Sequence, residues 1–418
     1  MGKAGRSPAA VRASLRRTAL HGIVGWAVLV SLVASFFAAR IHSAQSYRDP
    51  MPDLTVSLTH AQVRAWKSFP MYTRTVPVLE YHGVSGPPNS LTISRRLFVE
   101  QMTALKVGGF HPISMAQYVA FTRGDYQGLP TRPILLTFDD GRLDAYRSAL
   151  NVLKGLGFHA VDIVVPGWVT SNHRFSQDYQ EMQQLAASGK WDVEAHFGYG
   201  HEWVPVNKAG KLGGAFGDLE YFPGVKGKPG HLETFAHFKR RFTANMRWAI
   251  EDLRQHVPGY QPLAMAIPRG DYGQGYTNDR HIPKFVISWL DKHFAVVFGG
   301  DYLARSKGRP FQIGGRFGRR TTRISYRLTM MQRDVLPVLY CRLRDYATRT
   351  PLWKEYRCKR RAKKAPQVNM GGGNDGDESA GSQRSGPPAV LGAADLSPSR
   401  WIEPAGTRPP LEWSPRSG

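Results

Sequence analysis

Two neighbouring carboxylates, Asp139 and Asp140, follow the run Ile134-Leu135-Leu136-Thr137-Phe138 and stand directly before Gly141. A continuous apolar run of this length reads as a strand buried on both faces. Acids at its end are partly desolvated and repel each other, a cost that a cation or a shared proton relieves. The same residues also suit a plain turn, because Asp-Gly is frequent in turns and Asp caps helices. A second group, Ala195-His196-Phe197-Gly198-Tyr199-Gly200-His201-Glu202-Trp203, follows the strand-like run Trp191-Asp192-Val193-Glu194. Neutral imidazoles and a carboxylate suit Zn2+ or a similar divalent ion. Two of 14 histidines signify little by themselves. Joined to Asp140, His196 and His201 complete a three-ligand set with an open position, the catalytic rather than the structural kind of metal site. Glu80-Tyr81-His82-Gly83-Val84 and Ala266-Ile267-Pro268-Arg269-Gly270-Asp271-Tyr272 also follow apolar runs. A lone histidine such as His82 is more often a half-buried, hydrogen-bonded residue than a catalyst.

The elements that must hold these residues alternate. Strands are expected over 76–81, 134–138, 160–165, 191–195, 263–267 and 294–298, and helices over 94–107, 143–156, 176–188, 232–256 and 330–346. Such alternation implies parallel βαβ units. Polar residues just past strand ends are where α/β barrels place their active sites. Residues 204–230, rich in Gly, Lys and Pro, read as a long insertion or lid.

With 418 residues the chain can hold one large domain or two ordinary ones, plus tails. Its net charge of +24 gathers at the ends: Lys3, Arg6, Arg12, Arg16 and Arg17 without an acid, and a basic cluster from Lys354 to Lys364. Such runs are usually solvated, and they also suit an anionic lipid surface or an acidic wall polymer. Nucleic acid is not expected as a partner, since no zinc-finger or RNA-binding signature accompanies the charge. Two cysteines, Cys341 and Cys358, exclude a disulfide framework and leave one local bridge or two thiols open. Leu20 to Ala39 is almost wholly apolar. About 20 residues at roughly 1.5 Å each cross a hydrocarbon core of roughly 30 Å. The basic residues before it predict a cytoplasmic N-terminus and an exported remainder, with a cleaved signal peptide as the rival reading. The chain thus divides into a basic cytoplasmic segment (1–18), a transmembrane signal anchor (19–41), a stalk with a short helix (42–74), a folded domain (75–328), a basic helical extension (329–364) and a disordered tail (365–418).

Thr137-Phe138-Asp139-Asp140-Gly141 after an apolar strand resembles the signature of polysaccharide deacetylases, the NodB-like or carbohydrate esterase family 4 group. The resemblance covers roughly Val76 to Arg327. It implies an α/β fold, a distorted (β/α)7-type barrel of the NodB homology type. It also implies hydrolysis of N-acetyl groups from a polysaccharide of N-acetylhexosamines with a divalent metal, Zn2+ first and Co2+, Ni2+ or Fe2+ as others. Asp139 would be the base, and Asp140, His196 and His201 the metal ligands. Four residues separate the two histidines where many members have three. That spacing, with the N-terminal Tyr81-His82-Gly83-Val84, is similar to the deacetylases of the biofilm polymer poly-β-1,6-N-acetylglucosamine. The likeness implies a circularly permuted barrel with His82 as general acid.

The chain departs from that branch at Pro268-Arg269-Gly270, where the pattern reads Pro-Tyr-Gly. A backbone N–H at Arg269, beside Gly270, remains to support an oxyanion, and a cation there would favour an anionic substrate. Ala195 stands where a Ser often precedes the first histidine. Trp203 and Tyr272 are candidates for stacking on sugar faces, and Arg323 for orienting Asp139. A peptidoglycan or chitin-type deacetylase, or a non-catalytic polysaccharide-binding protein, would use the same scaffold.

Overall fold

The computed structural model describes residues 48–72, 75–85, 91–169, 174–199, 201, 203–225, 228–274, 276–299 and 324–347. The expected anchor at 19–41, the basic segment before it and the tail at 365–418 lie outside them. Among the described residues no helix is long and apolar enough to cross a membrane.

Helix α1 (His60–Lys67) opens on a capping box in which Thr59 and Gln62 exchange side-chain and backbone hydrogen bonds. It lies in the segment expected to be a stalk. Instead of standing free, this segment buries Trp66, Phe69 and Tyr72 in the main core. Phe69 meets Phe110 at 4.8 Å and Tyr340 at 5.0 Å, both edge-on. Aromatic side chains bury much area each, and three of them outweigh the polar residues between.

Six parallel strands pair in chain order: β1 (Val78–Tyr81), β2 (Pro133–Asp140), β3 (Ala160–Val164), β4 (Trp191–Ala195), β5 (Ala264–Ala266) and β6 (Val296–Gly299). At one edge β6 pairs with β7 (Ile324–Tyr326), and at the other β1 pairs with β8 (Leu328–Thr329). Only Arg327 separates β7 from β8. One short run therefore meets both edges and closes the sheet into a barrel of six strands and one broken strand, consistent with the (β/α)7 expectation.

The strand period of two sorts the side chains. Val78, Leu135, Val161, Ile163, Ala264, Ala266, Val296 and Phe298 form the inner cluster, which α3 (Met115–Thr122) stoppers with Met115, Tyr118 and Phe121. The alternate residues Leu79, Tyr81, Leu136 and Phe138 pack outwards with α2 (Arg95–Val107), α4 (Leu143–Leu156) and α8 (Leu336–Ala347). Helix α5 (Tyr179–Ala187) sits between the strands it connects, β3 and β4. Around the other half of the barrel, Ala195, Met265 and Val297 pack with α6 (Phe235–His256) and α7 (Ile282–His293). Because α8 buries Leu336, Leu339 and Leu343, residues 336–347 belong to the folded domain rather than extending from it.

The insertion after β4 makes two short hairpins, Trp203–Pro205 with Leu212–Gly214 and Tyr221–Phe222 with His231–Leu232. It is tied down. Arg241 of α6 donates to Glu233 at 2.8 and 2.9 Å and to the Ala215 carbonyl at 2.8 Å. Asn278 exchanges hydrogen bonds with the backbone of Leu219, both at 2.7 Å.

Candidate active site

β2 ends in a sharp reversal, with Asp140 at φ 76° and Gly141 at φ 59°. Left-handed backbone is natural for Gly and strained for Asp, by roughly 1–3 kcal/mol, and such strain gathers at functional sites. Gly141 has no room for a side chain. A Cβ there would stand 3.0 Å from Cγ1 of Val164 and 3.3 Å from its Cα. Gly141→Ala is therefore expected to destabilise the protein by about 1–2 kcal/mol, measured as a lower denaturant midpoint. An unchanged midpoint would show that the turn can relax.

His196 leaves β4 with its N–H on the Val164 carbonyl (2.8 Å) and its Nδ1 2.7 Å from the Ala266 carbonyl. A carbonyl only accepts, so Nδ1 carries the proton and Nε2 presents a lone pair. That Nε2 lies 3.1 Å from Nε2 of His201 and 3.6 Å from Oδ1 of Asp140; His201 Nε2 is also 3.6 Å from Oδ1. Oδ1 is buried and accepts no hydrogen bond. Ligand atoms around a tetrahedral ion at about 2.1 Å stand roughly 3.4 Å apart. These three atoms thus fit a divalent ion with a fourth position open.

The protonation states agree with this fit. Burial pushes His201 down to about 3 against the pull of Asp140, and burial likewise lowers His196. Burial would raise Asp140, but His82, His201 and His196 together hold it below its ordinary value. Neutral imidazoles and an ionised carboxylate are the forms that bind metal. The loop carrying His201 is pinned from α6. Asn245 Oδ1 accepts from the N–H groups of Gly198 (2.9 Å) and Tyr199 (3.1 Å), and its Nδ2 donates to the Tyr199 carbonyl (2.6 Å).

Asp139 points the other way, into the barrel. Arg327 grips it from two nitrogens, at 2.5 Å to Oδ1 and 2.7 Å to Oδ2, and donates to Thr137 Oγ1 at 3.2 Å. The Arg327 Nε lies 3.3 Å from Glu80 Oε2, and Glu80 Oε1 lies 3.7 Å from Nε2 of His82. Burial would raise the Asp139 carboxyl, but the Arg327 charge and hydrogen bonds, with His196 and His82, hold it at about 2. Burial would lower Arg327, yet Asp139 and Glu80 push it above its ordinary value. Glu80, His82 and Asp139 form a compact group of their own, with donor atoms within 4.8 Å. The end of the barrel thus carries an ion-ligating set and an ion-paired acid side by side.

Arg323, the expected partner of Asp139, lies outside the described residues, and the guanidinium on Asp139 is that of Arg327. Glu80 carries no expected role from sequence, although its place two residues before His82 on a strand puts both on one face. Arg269 sits at φ 57° in the turn Pro268–Gly270, with its guanidinium carbon 4.4 Å from the centre of the Trp203 ring. The Gly270 N–H is engaged within that turn, donating to the Ile267 carbonyl at 2.8 Å. Tyr272 is partly buried and packs against the apolar layer beneath α6 and α7, whereas Trp203 is half exposed.

Residues 127–280 match a family model described as polysaccharide deacetylase. That span holds Asp139, Asp140, His196, His201, Trp203 and Arg269. A poly-beta-1,6-N-acetyl-D-glucosamine N-deacetylase of Escherichia coli K12 is 25% identical over 185 residues, covering 41% of this chain and 27% of that protein. A putative polysaccharide deacetylase of Bacillus subtilis is 27% identical over 121 residues, covering 29% and 42%. The chain spans less than half the length of either relative. Among solved structures, a de-N-acetylase from Aggregatibacter actinomycetemcomitans aligns over 62% of this chain and 95% of its own, at TM-score 0.49 and 20% identity. IcaB from Ammonifex degensii aligns over 65% and 97%, at 0.47 and 22%. The segment 127–280, which carries the Asp140–His196–His201 set, is thus the part of the chain that matches the polysaccharide deacetylase family.

Proposed function

We propose that the protein hydrolyses N-acetyl groups from a polysaccharide of N-acetylhexosamines, with a bound divalent ion, at the outer face of a membrane. The observation that carries this reading is the Asp140–His196–His201 set beside a carboxylate that Arg327 keeps ionised. The names of the relatives make poly-β-1,6-N-acetylglucosamine the first polymer to try. The outer-face placement rests on the apolar run at 20–39 and the basic residues before it. Asp140, His196 and His201 would hold the ion; one carboxylate and two imidazoles at near-tetrahedral spacing suit Zn2+ best, and Co2+, Ni2+ or Fe2+ fit the same donors.

When bound, the ion acidifies a water and polarises the acetamide carbonyl. Asp139 takes the proton of the attacking water as general base. Each of its oxygens accepts one guanidinium hydrogen bond and keeps a lone pair for that proton. As the new C–O bond forms, negative charge moves to the former carbonyl oxygen. A backbone N–H at Arg269 would be the donor that meets it, and one such donor contributes roughly 3 kcal/mol. His82 passes a proton to the nitrogen as the C–N bond breaks, with Glu80 facing its ring. Acetate and a free amine leave. Carrying the acid on the first strand instead of the last is the permutation that the Tyr81-His82 motif implies.

Acetate release from acetylated poly-β-1,6-glucosamine, chitin oligomers and peptidoglycan tests this, with metal content measured on the same samples. Release from the first polymer is expected, lost on chelation and restored by Zn2+ or Co2+. Metal-loaded protein that binds polymer yet frees no acetate from any of the three would overturn the reading.

A further inference from the structure

We propose that Tyr199 and Trp248 form a stacking platform for a pyranose ring of the substrate polymer, next along the chain from the sugar whose acetyl group is removed. This deepens the deacetylase reading and rests on it. Tyr199 stands between the two histidines, three residues after His196 and two before His201. Trp248 comes from α6, three residues after Asn245, so the two share one face of that helix. Asn245 pins the backbone of Tyr199, and Trp248 meets its ring at 4.2 Å between centres and 31° between planes.

The pair is built into the site. The Gly167 N–H donates to the Gly198 carbonyl at 3.0 Å, which joins the turn after β3 to the histidine loop. A Cβ on Gly167 would stand 2.4 Å from that oxygen, and 2.4 and 2.6 Å from Cδ1 and Cε1 of Tyr199. Only a residue without a side chain lets the Tyr199 ring lie against this turn. The next residue, Trp168, has its ring centre 5.3 Å from that of His201. The loops around His201 thus hold Trp168 beside the histidine and Tyr199 between that turn and Trp248.

The chemistry of the pair fits a sugar ring. Tyr199 is 40% exposed, and Trp248 is half-buried. Tyr and Trp offer a large apolar body with a polar edge. A pyranose has the matching form, with C–H groups on its faces and hydroxyls around its rim. Burial, then the Asp252 charge, raises the Tyr199 phenol, so it stays a neutral O–H that suits a sugar hydroxyl. The platform therefore reads the face of a sugar unit next to the reacting one and makes longer chains better substrates than short ones.

The test compares a dimer and a hexamer of β-1,6-linked N-acetylglucosamine as substrates of the protein loaded with Zn2+. The natural protein is expected to favour the hexamer by at least about fivefold in kcat/KM, the size of an aromatic stacking contact. Trp248→Ala and Tyr199→Ala should each bring that ratio close to one, mainly through KM on the hexamer. Trp248→Phe and Tyr199→Phe, which keep a ring, should retain part of it. Zn2+ content measured on every variant separates the platform from mere support of the histidine loop. Equal use of both oligomers by the natural protein, an undiminished ratio in both alanine variants, or an equal proportional loss on both oligomers with loss of Zn2+ overturns the platform. If neither oligomer releases acetate, the deacetylase reading fails instead. Equilibrium binding of the two oligomers then still decides the platform, by whether the natural protein binds the hexamer more tightly and the alanine variants do not.

Discussion

Asp140→Asn is expected to abolish acetate release, by at least about a thousandfold, and to leave the purified protein nearly free of metal. The exchange replaces the one charged oxygen among the three ligand atoms by a neutral amide of the same shape. Several kcal/mol of transition-state stabilisation depend on the ion, and each 1.4 kcal/mol is about tenfold in rate. The fold should be unharmed. Asp140 Oδ1 accepts no hydrogen bond from the protein, so no internal partner is lost, and the like charge next to Asp139 disappears. Thermal unfolding of the two metal-free proteins should therefore agree within a few degrees. A variant that keeps a full complement of metal, or more than a tenth of the activity, would remove Asp140 from the ligand set.

Arg327→Met carries the second large effect, and it is an effect on stability as well as rate. Arg327 is 2% exposed and answers two buried carboxylates, Asp139 and Glu80. Removing one member of a buried charge network leaves the others uncompensated, at a cost of about 3–5 kcal/mol. The dependence on pH has a definite sign. Asp139 is held at about 2 in the folded protein, below the ordinary value of about 3.9. Its contribution to stability is present above the unfolded value and is lost as pH falls from about 4 through 2. The variant lacks that contribution, so the gap between the two proteins should narrow in acid. With Arg327 gone, burial of Asp139 is no longer outweighed, so the acid limb of kcat/KM should move to higher pH. Equal urea midpoints for the two proteins at pH 7 would refute the argument.

The sequence made some of this legible and concealed the rest for physical reasons. Strands β2 and β3 announce themselves because each is buried on both faces and reads as a mostly apolar run, and β4 by its alternation of apolar Trp191, Val193 and Ala195 with Asp192 and Glu194. The residues at or just past their ends, Asp140 and His196 among them, are therefore readable as neighbours. The closing run at 324–329 was hidden. It has two or three residues per strand and an Arg at its centre, so neither periodicity nor apolar length marks it. The sequence accordingly points to Arg323 as the partner of Asp139, where the structure has Arg327. Helices α3 and α7 also escaped, one as the short stopper of the barrel and the other following a turn rich in polar residues. Trp66, Phe69 and Tyr72 are separated by loop-like residues, and only the tertiary contact with Phe110 and Tyr340 shows that they are core.

The single residue between β7 and β8 bears on how the protein comes into being. Arg327 is among the last residues of the barrel to leave the ribosome, while Glu80 is among the first. Until the final run arrives, the first strand has an unpaired edge, and Asp139 and Glu80 lack their counter-ion. Pairings between such distant parts of a chain form late and slowly, because a long loop must be closed first. A product that stops short of residue 324 would therefore combine an open, adhesive edge with two unmatched acids. Closure of the barrel and assembly of the acid pair are thus one event, set by the arrival of residues 324–329.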